Sequence, residues 1–435
     1  MQFQLFFDYQ NILDSCSFLR KYNALFWAFD KVFSGPDHPA FGRKGYPKSA
    51  YFKAFIYKQC QQIKYVSDLV RDLESRPAIC RLIGFKTDRV PDHSRFSRFL
   101  SSTKNSEIEE LMHSAAKILI EEGHVKADVL IGDSKPVRAN TVENNPKNPG
   151  RCLDKKREIK RNPSASLGYY SYIKQSSGGR KRQFAYFWGY RTHVLVSREG
   201  IVLVESTKPN EVADKDVVKS LMRKLKRVYG QKKGRKIVLD AAYDSNDIYN
   251  FIVNKMKSEP FIAENRRYRR AISEFDNTGR PVCEARFPMK YCGIINDADR
   301  TRVKYRCPIR AGNKKERAKL PAECPVADLR FAEGKCYGCT AYVDLAGDAR
   351  SQAQAKRQSE SFREIYKLRT EVERYFSRLG PREAEDTTVY KYRSVRNQMS
   401  IAHLSLNLVA VAAASILKQP EKIRCYKTFS VPIVA

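Results

Sequence analysis

The sequence predicts an α/β protein with a mixed sheet, led in by an all-helical segment and interrupted by a cysteine-rich insertion. Three observations carry this. Residues 1–125 place apolar side chains at helical spacing. Residues 126–265 switch to short apolar runs that alternate with helical patterns. Residues 266–350 break both periods with cysteines and turn formers, and helical spacing returns over 351–435.

The elements follow in order. "YPKSAYFKAFIYKQCQQIKYVSDLVRDLESRPAICRLIGF" reads as helices, with Pro47 near a start. In "VPDHSRFSRFL", Asp92 or Ser94 is placed to cap a short helix that carries Arg95 and Arg98. A basic multi-helix unit suits a helix-turn-helix or a plain scaffold with a solvated basic face. "VKADVLIGDSKPVRAN" is an apolar run ending at Gly132-Asp133-Ser134, a buried strand with a carboxylate at its C-terminal end.

Between Arg151 and Arg191 stand eleven Lys or Arg against two Asp or Glu, interleaved with Tyr169, Tyr170, Tyr172, Tyr186, Phe187 and Trp188. That mixture suits base stacking with phosphate contact. A flexible loop followed by the strand "FAYFWGYRTHVLVS" accounts for most of it equally well. The strand "GIVLVEST", a basic helix around "DKDVVKSLMRKLKRVYG", and the strand "GRKIVLD" come next. The last ends in Asp240, a helix follows, and "PFIAEN" is a further strand.

Composition narrows the partner. The chain has 435 residues, 81 Lys+Arg and 48 Asp+Glu, a formal net charge of +33. Such an excess points to a polyanion, most simply nucleic acid. A length of 435 residues and a hydrophobic share of 42% argue against a ribosomal-type protein. "MQFQLFFDYQ" has neither a cationic lead nor a small-residue cleavage site, so the expectation is a cytoplasmic, nucleoid-associated protein. The apolar stretch "SIAHLSLNLVAVAAASIL" contains His403 and Asn407 and reads as a buried helix rather than a membrane span. Six of the eleven cysteines, Cys283, Cys292, Cys307, Cys324, Cys336 and Cys339, fall in 266–350. In a reducing compartment they are thiols or metal ligands rather than disulfides. Cys336-x2-Cys339 has zinc-knuckle spacing, and Cys307 and Cys324 complete a candidate structural Zn²⁺ site.

The chemistry gathers in three places. Asp133 and Asp240 close two buried strands, where ligands collect in α/β sheets. "YKLRTEVERYFSRLG" reads as one amphipathic helix that aligns Tyr366, Arg369 and Glu373 on a single face. Three convergent carboxylates suit Mg²⁺ or Mn²⁺, and two such ions activate an attacking oxygen and stabilise a leaving oxygen at a phosphodiester. Each acid also has a plain structural role open to it. Asp133 and Asp240 suit turn caps, and Glu373 suits an ion pair with Arg369 worth about 0.3 kcal/mol. Together, on a strongly basic chain, they favour an active site.

These motifs resemble those of the DDE transposases of bacterial insertion sequences. The first acid matches in "IGDSKPVRAN". The second matches in "LDAAYDS", the pattern of Asp, two residues, then Tyr-Asp. Tyr366, Arg369 and Glu373 match the first three positions of a Tyr-x2-Arg-x3-Glu-x6-Lys signature, and Gly380 departs from its Lys. "GRKGYPKSAYFKAFIYKQC" and "VPDHSRFSRFL" resemble the family's N-terminal helices.

The resemblance implies an RNase H-like catalytic core over 126–265 and 351–435. It implies an N-terminal helical DNA-binding domain over 1–125 and a β-rich, cysteine-rich insertion subdomain over 266–350. It implies binding of terminal inverted repeats, then cleavage and strand transfer, with Asp133, Asp240 and Glu373 holding two Mg²⁺ ions. Tyr366 and Arg369 would hold the DNA end, and Arg95 and Arg98 would contact duplex. Partners would be double-stranded DNA, both ends and target, and a second copy in a homodimer. At Gly380 the implied DNA contact is missing, and Lys391 or a neighbouring Arg is the substitute. A binder that has lost catalysis and a divergent nuclease on the same core are the alternatives. Asp244 is a supporting candidate, and His193 is assigned a packing role.

Overall fold

The computed structural model describes residues 15–425 except 39, 41–44, 87–88, 146, 148–158, 160, 177–178, 266–275, 277, 279, 284, 298–299, 312–314, 316–323, 325–337, 345–349, 351–356, 358 and 381–385. Six helices open the described chain: α1 Ser17–Val32, α2 Lys48–Cys60, α3 Val66–Ser75, α4 Pro77–Ile83, α5 His93–Ser102 and α6 Asn105–Glu121. Local chemistry sets their ends. Pro47 immediately precedes α2. Asp92, not Ser94, caps α5, accepting from the Ser94 and Arg95 N–H groups at 2.8 and 3.3 Å.

The main sheet is built from β1 Val129–Arg138, β2 Ser166–Ser176, β3 Gly179–Ser197, β4 Val202–Pro209, β5 Lys236–Leu239 and β6 Glu259–Ile262. Helix α7, Asp214–Tyr229, crosses between β4 and β5, and α8, Asn246–Asn250, leads toward β6. Strands β1, β5 and β6 run parallel, while β3 is antiparallel to both β1 and β4. This mixed sheet fits an RNase H-like core. Buried Val and Ile runs such as "KIVL" in β5 explain why the parallel centre is covered on both faces.

Two sequence expectations change. Residues 166–176 form β2 rather than a loop, because they pair with β3 along their full length, from Ser166 opposite Gly189 to Ser176 opposite Gly179. Tyr169 and Tyr186 face one another across that ladder. An aromatic run whose side chains stay exposed carries no burial signal, so cross-strand partners decide its state. Strand β1 also does not end at Asp133. Its pairing with β3 continues through Asp133–Val194 to Arg138–Gly189. Only the ladder with β5 stops at Gly132–Leu239.

A second, three-stranded antiparallel sheet lies within 266–350: β7 Lys290–Asp297, β8 Arg300–Arg306 and β9 Thr340–Asp344. The chain then returns through α9 Glu360–Lys367, α10 Thr370–Arg378 and α11 Tyr392–Val411.

Helix α11 sits at the centre of one apolar core shared by α1–α6 and the main sheet. It is long and apolar enough to cross a membrane, yet 94% of its apolar window is buried inside the fold. Its polar residues explain the choice. Asn397 donates to the Leu100 and Thr103 carbonyls at 2.8 and 2.9 Å, and Asn407 donates to the Val202 carbonyl at 2.9 Å. Each satisfied buried bond is worth about 1 kcal/mol, and leaving one unmade costs about 1–3 kcal/mol.

Candidate active site

Parallel pairing puts Gly132 beside Leu239, so the next residues, Asp133 and Asp240, leave adjacent strands side by side. Gly132 is required by this approach. A Cβ there would stand 2.5 Å from the Leu239 side chain and 2.9 Å from that of Leu195. Both acids fill the structural roles open to them. Asp240 caps a short 3-10 turn, Ala241–Tyr243, accepting from the Ala241 N–H at 2.6 Å. Asp133 accepts from the Ser134 N–H at 2.8 Å.

The third acid arrives on α10. The segment expected as a single helix is two, α9 and α10, joined at Leu368 and Arg369. The joint is held by i→i−3 bonds, Arg369 N–H to Tyr366 O at 3.0 Å and Glu371 N–H to Leu368 O at 2.9 Å. Thr370 Oγ1 also donates to the Lys367 carbonyl at 3.1 Å. Such bonds tighten the chain and compete with the α ladder. Sequence spacing does not register that bend.

Arg369 joins the acids. Its Nη2 donates to Glu373 Oε1 at 2.6 Å, and its Nη1 lies 3.7 Å from Asp133 Oδ2. Burial pushes the Asp133 carboxyl up to about 6, and the Asp240 and Glu373 charges push the same way against the Ser134 N–H and Arg369. The half-buried Tyr366 phenol is also raised, first by burial, with Arg369 opposing and Asp240, Asp133 and Glu373 adding to it. Its ring stacks on Phe362, centroids 5.6 Å apart. The signature residues and all three acids therefore share one electrostatic site.

Among the described residues no three His, Cys, Asp or Glu stand close enough together to hold one metal ion. The donor set still suits a hard divalent cation: oxygen ligands, one of them, Asp133, pushed up to about 6 by burial first and by the Asp240 and Glu373 charges after it.

A buried hydrogen-bond chain fixes α10 under the site. Tyr375, two residues past Glu373, bonds His403 Nδ1 at 2.5 Å, and His403 Nε2 bonds Thr192 Oγ1 at 2.9 Å. Burial pushes His403 down to about 3, so the ring is neutral. Thr192 is the cross-strand partner of Lys135. Lys135 is a residue the motif reading missed. Strand alternation sets it on the face of Asp133, and its Nζ donates to the Phe376 carbonyl of α10 at 3.5 Å. The i, i+2 spacing from Asp133 was the available signal.

Gly380 has φ +90° and follows the C-terminus of α10, while Gln59 Nε2 donates to the Leu379 carbonyl at 2.9 Å. A Cβ there would stand 4.0 Å from Gln59 Nε2, an ordinary contact, but a lysine would have to take a left-handed backbone, at a cost of about 1–2 kcal/mol. Lys391 is exposed immediately before α11.

Asp244 stands apart from the trio. Its fully buried carboxylate accepts from Arg350 at 2.9 and 3.0 Å, from Arg357 at 2.8 Å and from the Asn265 N–H at 2.9 Å. Burial alone would raise its pKa, but these donors hold it below the usual carboxylate range. Asn265 precedes the insertion, Arg350 is its last residue and Arg357 follows it, so one carboxylate ties both ends. His193 is buried on the sheet face opposite Asp133, 3.9 Å from Asp214, and burial with Arg191 and Lys208 holds it down to about 3. That is a packing role. Arg95 and Arg98 are exposed on α5, and Arg95 pairs with Asp92 at 3.3 Å.

Of the four candidate zinc ligands, Cys336 lies outside the described residues. The Cys307 N–H donates to the Cys339 carbonyl at 2.7 Å across the β8–β9 end. Cys324 is half-buried, and no metal-holding cluster of three or more forms among the described residues.

Residues 125–408 match the family model described as "Transposase DDE domain", and residues 7–102 match "Transposase domain (DUF772)". No curated protein matches the sequence. Among solved structures, the chain is similar to that of "Cryo-EM structure of piggyBac transposase synaptic complex with hairpin DNA (SNHP)", at 12% identity, covering 96% of this chain and 82% of that one, with a TM-score of 0.36. The family match runs from the strand of Asp133 past Glu373, and the chain belongs to the DDE transposases of insertion-sequence type.

Proposed function

We propose that this protein binds the terminal inverted repeats of its element and performs divalent-metal-dependent DNA cleavage and strand transfer at Asp133, Asp240 and Glu373. One observation carries the reading: Asp133, raised to about 6 with Asp240 and Glu373 among the causes, shares its site with Arg369 and Tyr366. When bound, two Mg²⁺ or Mn²⁺ ions supply Lewis acidity to the attacking and leaving oxygens of the phosphodiester.

The chain's own groups do the rest. Asp133, Asp240 and Glu373 hold the cations. Arg369, released from Glu373, turns its guanidinium to the phosphate, where bidentate pairing is strong. Lys135 adds a cation on the same face, in the role the signature gives to position 380. Tyr366 bounds the DNA end, and neutral His403 with Tyr375 keeps α10 in register. In strand transfer a DNA 3'-hydroxyl oxygen bonds to phosphorus as the old P–O bond breaks, and no protein atom becomes covalently attached. The N-terminal helices, with Arg95 and Arg98, contact duplex, and two copies pair the ends.

The test is cleavage of a linear duplex bearing the element's own ends, with Mg²⁺, by wild type beside Asp133→Ala, Asp240→Ala and Glu373→Ala. Each substitution should lower cleavage at least about a thousandfold while leaving end binding intact. A wild type that binds those ends and never cuts them overturns catalysis and favours the non-catalytic binder, for which Gly380 is the specific observation.

A further inference from the structure

The β2–β3 ribbon has no counterpart in the roles assigned so far. From Leu167–Trp188 to Ser176–Gly179 its strands pair with each other, while the β1 ladder stops at Gly189. An isolated two-stranded ribbon is marginal in water, yet this one leaves large apolar side chains in solvent. Tyr169, Ile173, Phe184 and Tyr186 are 52%, 65%, 49% and 47% exposed. Alternation and register set these four on one face. The Tyr169 ring lies 5.8 Å from Phe184 and 6.0 Å from Tyr186, forming one aromatic patch. Such a stripe marks an interaction surface.

Charge selects the partner. Residues 159–198 contain no Asp or Glu, while Lys174, Arg180, Lys181 and Arg182 lie toward the turn. Two copies of a segment with this uniformly positive sequence would bring like charge together, so a second chain is disfavoured. A polyanion with stackable faces is favoured, and a two-stranded ribbon is of a size the major groove admits. Position refines this. Val194 is the β3 partner of Asp133. Tyr186 and Phe184 precede it along the strand by a contour of about 26–33 Å. One turn of duplex is about 34 Å.

We propose that the β2–β3 ribbon is a DNA-gripping arm that holds duplex about one helical turn from the phosphate cleaved at Asp133. The aromatic patch contacts bases or sugars, and Lys174 contacts a phosphate. This rests on the reading of Asp133 as part of the cleavage site.

The experiment footprints the full-length chain with hydroxyl radicals on the same end-bearing duplex, in EDTA, and measures affinity against salt. A Tyr169→Ser, Phe184→Ser, Tyr186→Ser variant should lose protection about one turn from the cut and bind about tenfold or more weakly. Lys174→Ala should lower the salt slope by about one. A second variant, with residues 169–186 replaced by a tight turn, should match the triple variant while its main thermal transition persists.

Wild-type affinity and an unchanged footprint in both aromatic-lacking variants overturn the arm. So does loss of self-association with DNA affinity intact, which would make the ribbon a contact between copies. A wild type that binds no duplex defeats the functional reading itself and the arm with it. A wild type that binds and cuts, beside indistinguishable variants, defeats the arm alone.

Discussion

Asp133 and Asp244 are both aspartates facing arginine, 111 positions apart, and the fold drives them in opposite directions. Asp133 is raised to about 6, while Asp244 is held below the usual range. The difference is stoichiometry and distance. Asp244 accepts from two guanidinium groups and a backbone N–H, all within 3.0 Å. Asp133 has one guanidinium at 3.7 Å, already committed to Glu373, and two further carboxylates nearby. A carboxylate with surplus donors is a joint. A carboxylate short of positive charge keeps its proton to higher pH. The same residue types therefore meet surplus donors in one place and a shortage of them in the other.

The hardest way to break this comparison is to remove the joint. Asp244→Ala should destabilise the fold by about 3–5 kcal/mol, because it strands two partly buried arginines. Urea unfolding measures the loss, and limited proteolysis should show residues 266–350 cut faster. A variant as stable as wild type would mean that the insertion is tied elsewhere.

The next test uses pH. In the folded chain Asp133 binds its proton more tightly than an unfolded aspartate, whose pKa is about 3.9. Its favourable contribution is complete below that value and is lost as pH rises through about 6. Metal-free wild type should thus lose about 2–3 kcal/mol relative to Asp133→Asn across that window, as an upper figure for a side chain one quarter exposed. Asp244 has the opposite sign. Its contribution is present above about 3.9 and is lost as pH falls through its depressed value. Thermal melts in EDTA from acid to neutral pH separate the two.

The smallest stability effect should come from Arg369→Gln. Its ion pair with Glu373 is exposed, 28% and 54%, so the expected cost is about 0–1 kcal/mol. Cleavage should nonetheless fall sharply, and Asp133 should titrate higher than in wild type because Arg369 is one of the groups that lowers it. Carboxyl NMR titration reads the second effect. Asp133 unmoved by the change would remove Arg369 from the site's charge balance.

Much of this was legible in the sequence. The apolar runs before Asp133 and Asp240 mark the buried strands, since a parallel centre covered on both faces leaves a continuous hydrophobic signal. The Tyr366, Arg369 and Glu373 spacing marks a shared helical face even though the helix bends at Leu368–Arg369. Strand β2 was not legible, because its aromatic side chains lie outside the core and leave no periodic burial to record. Nor was the continuation of β1 past Asp133, which depends on β3 approaching from elsewhere in the chain.

By itself the sequence determined the burial pattern, the charge and the identity of the acids, all properties of residues and their near neighbours. Tertiary structure alone decided what each acid became. Arg369 reaches Asp133 from 236 positions away, and Arg350 reaches Asp244 from 106. Electrostatic energy depends on separation in space and on burial, and neither is a function of separation along the chain.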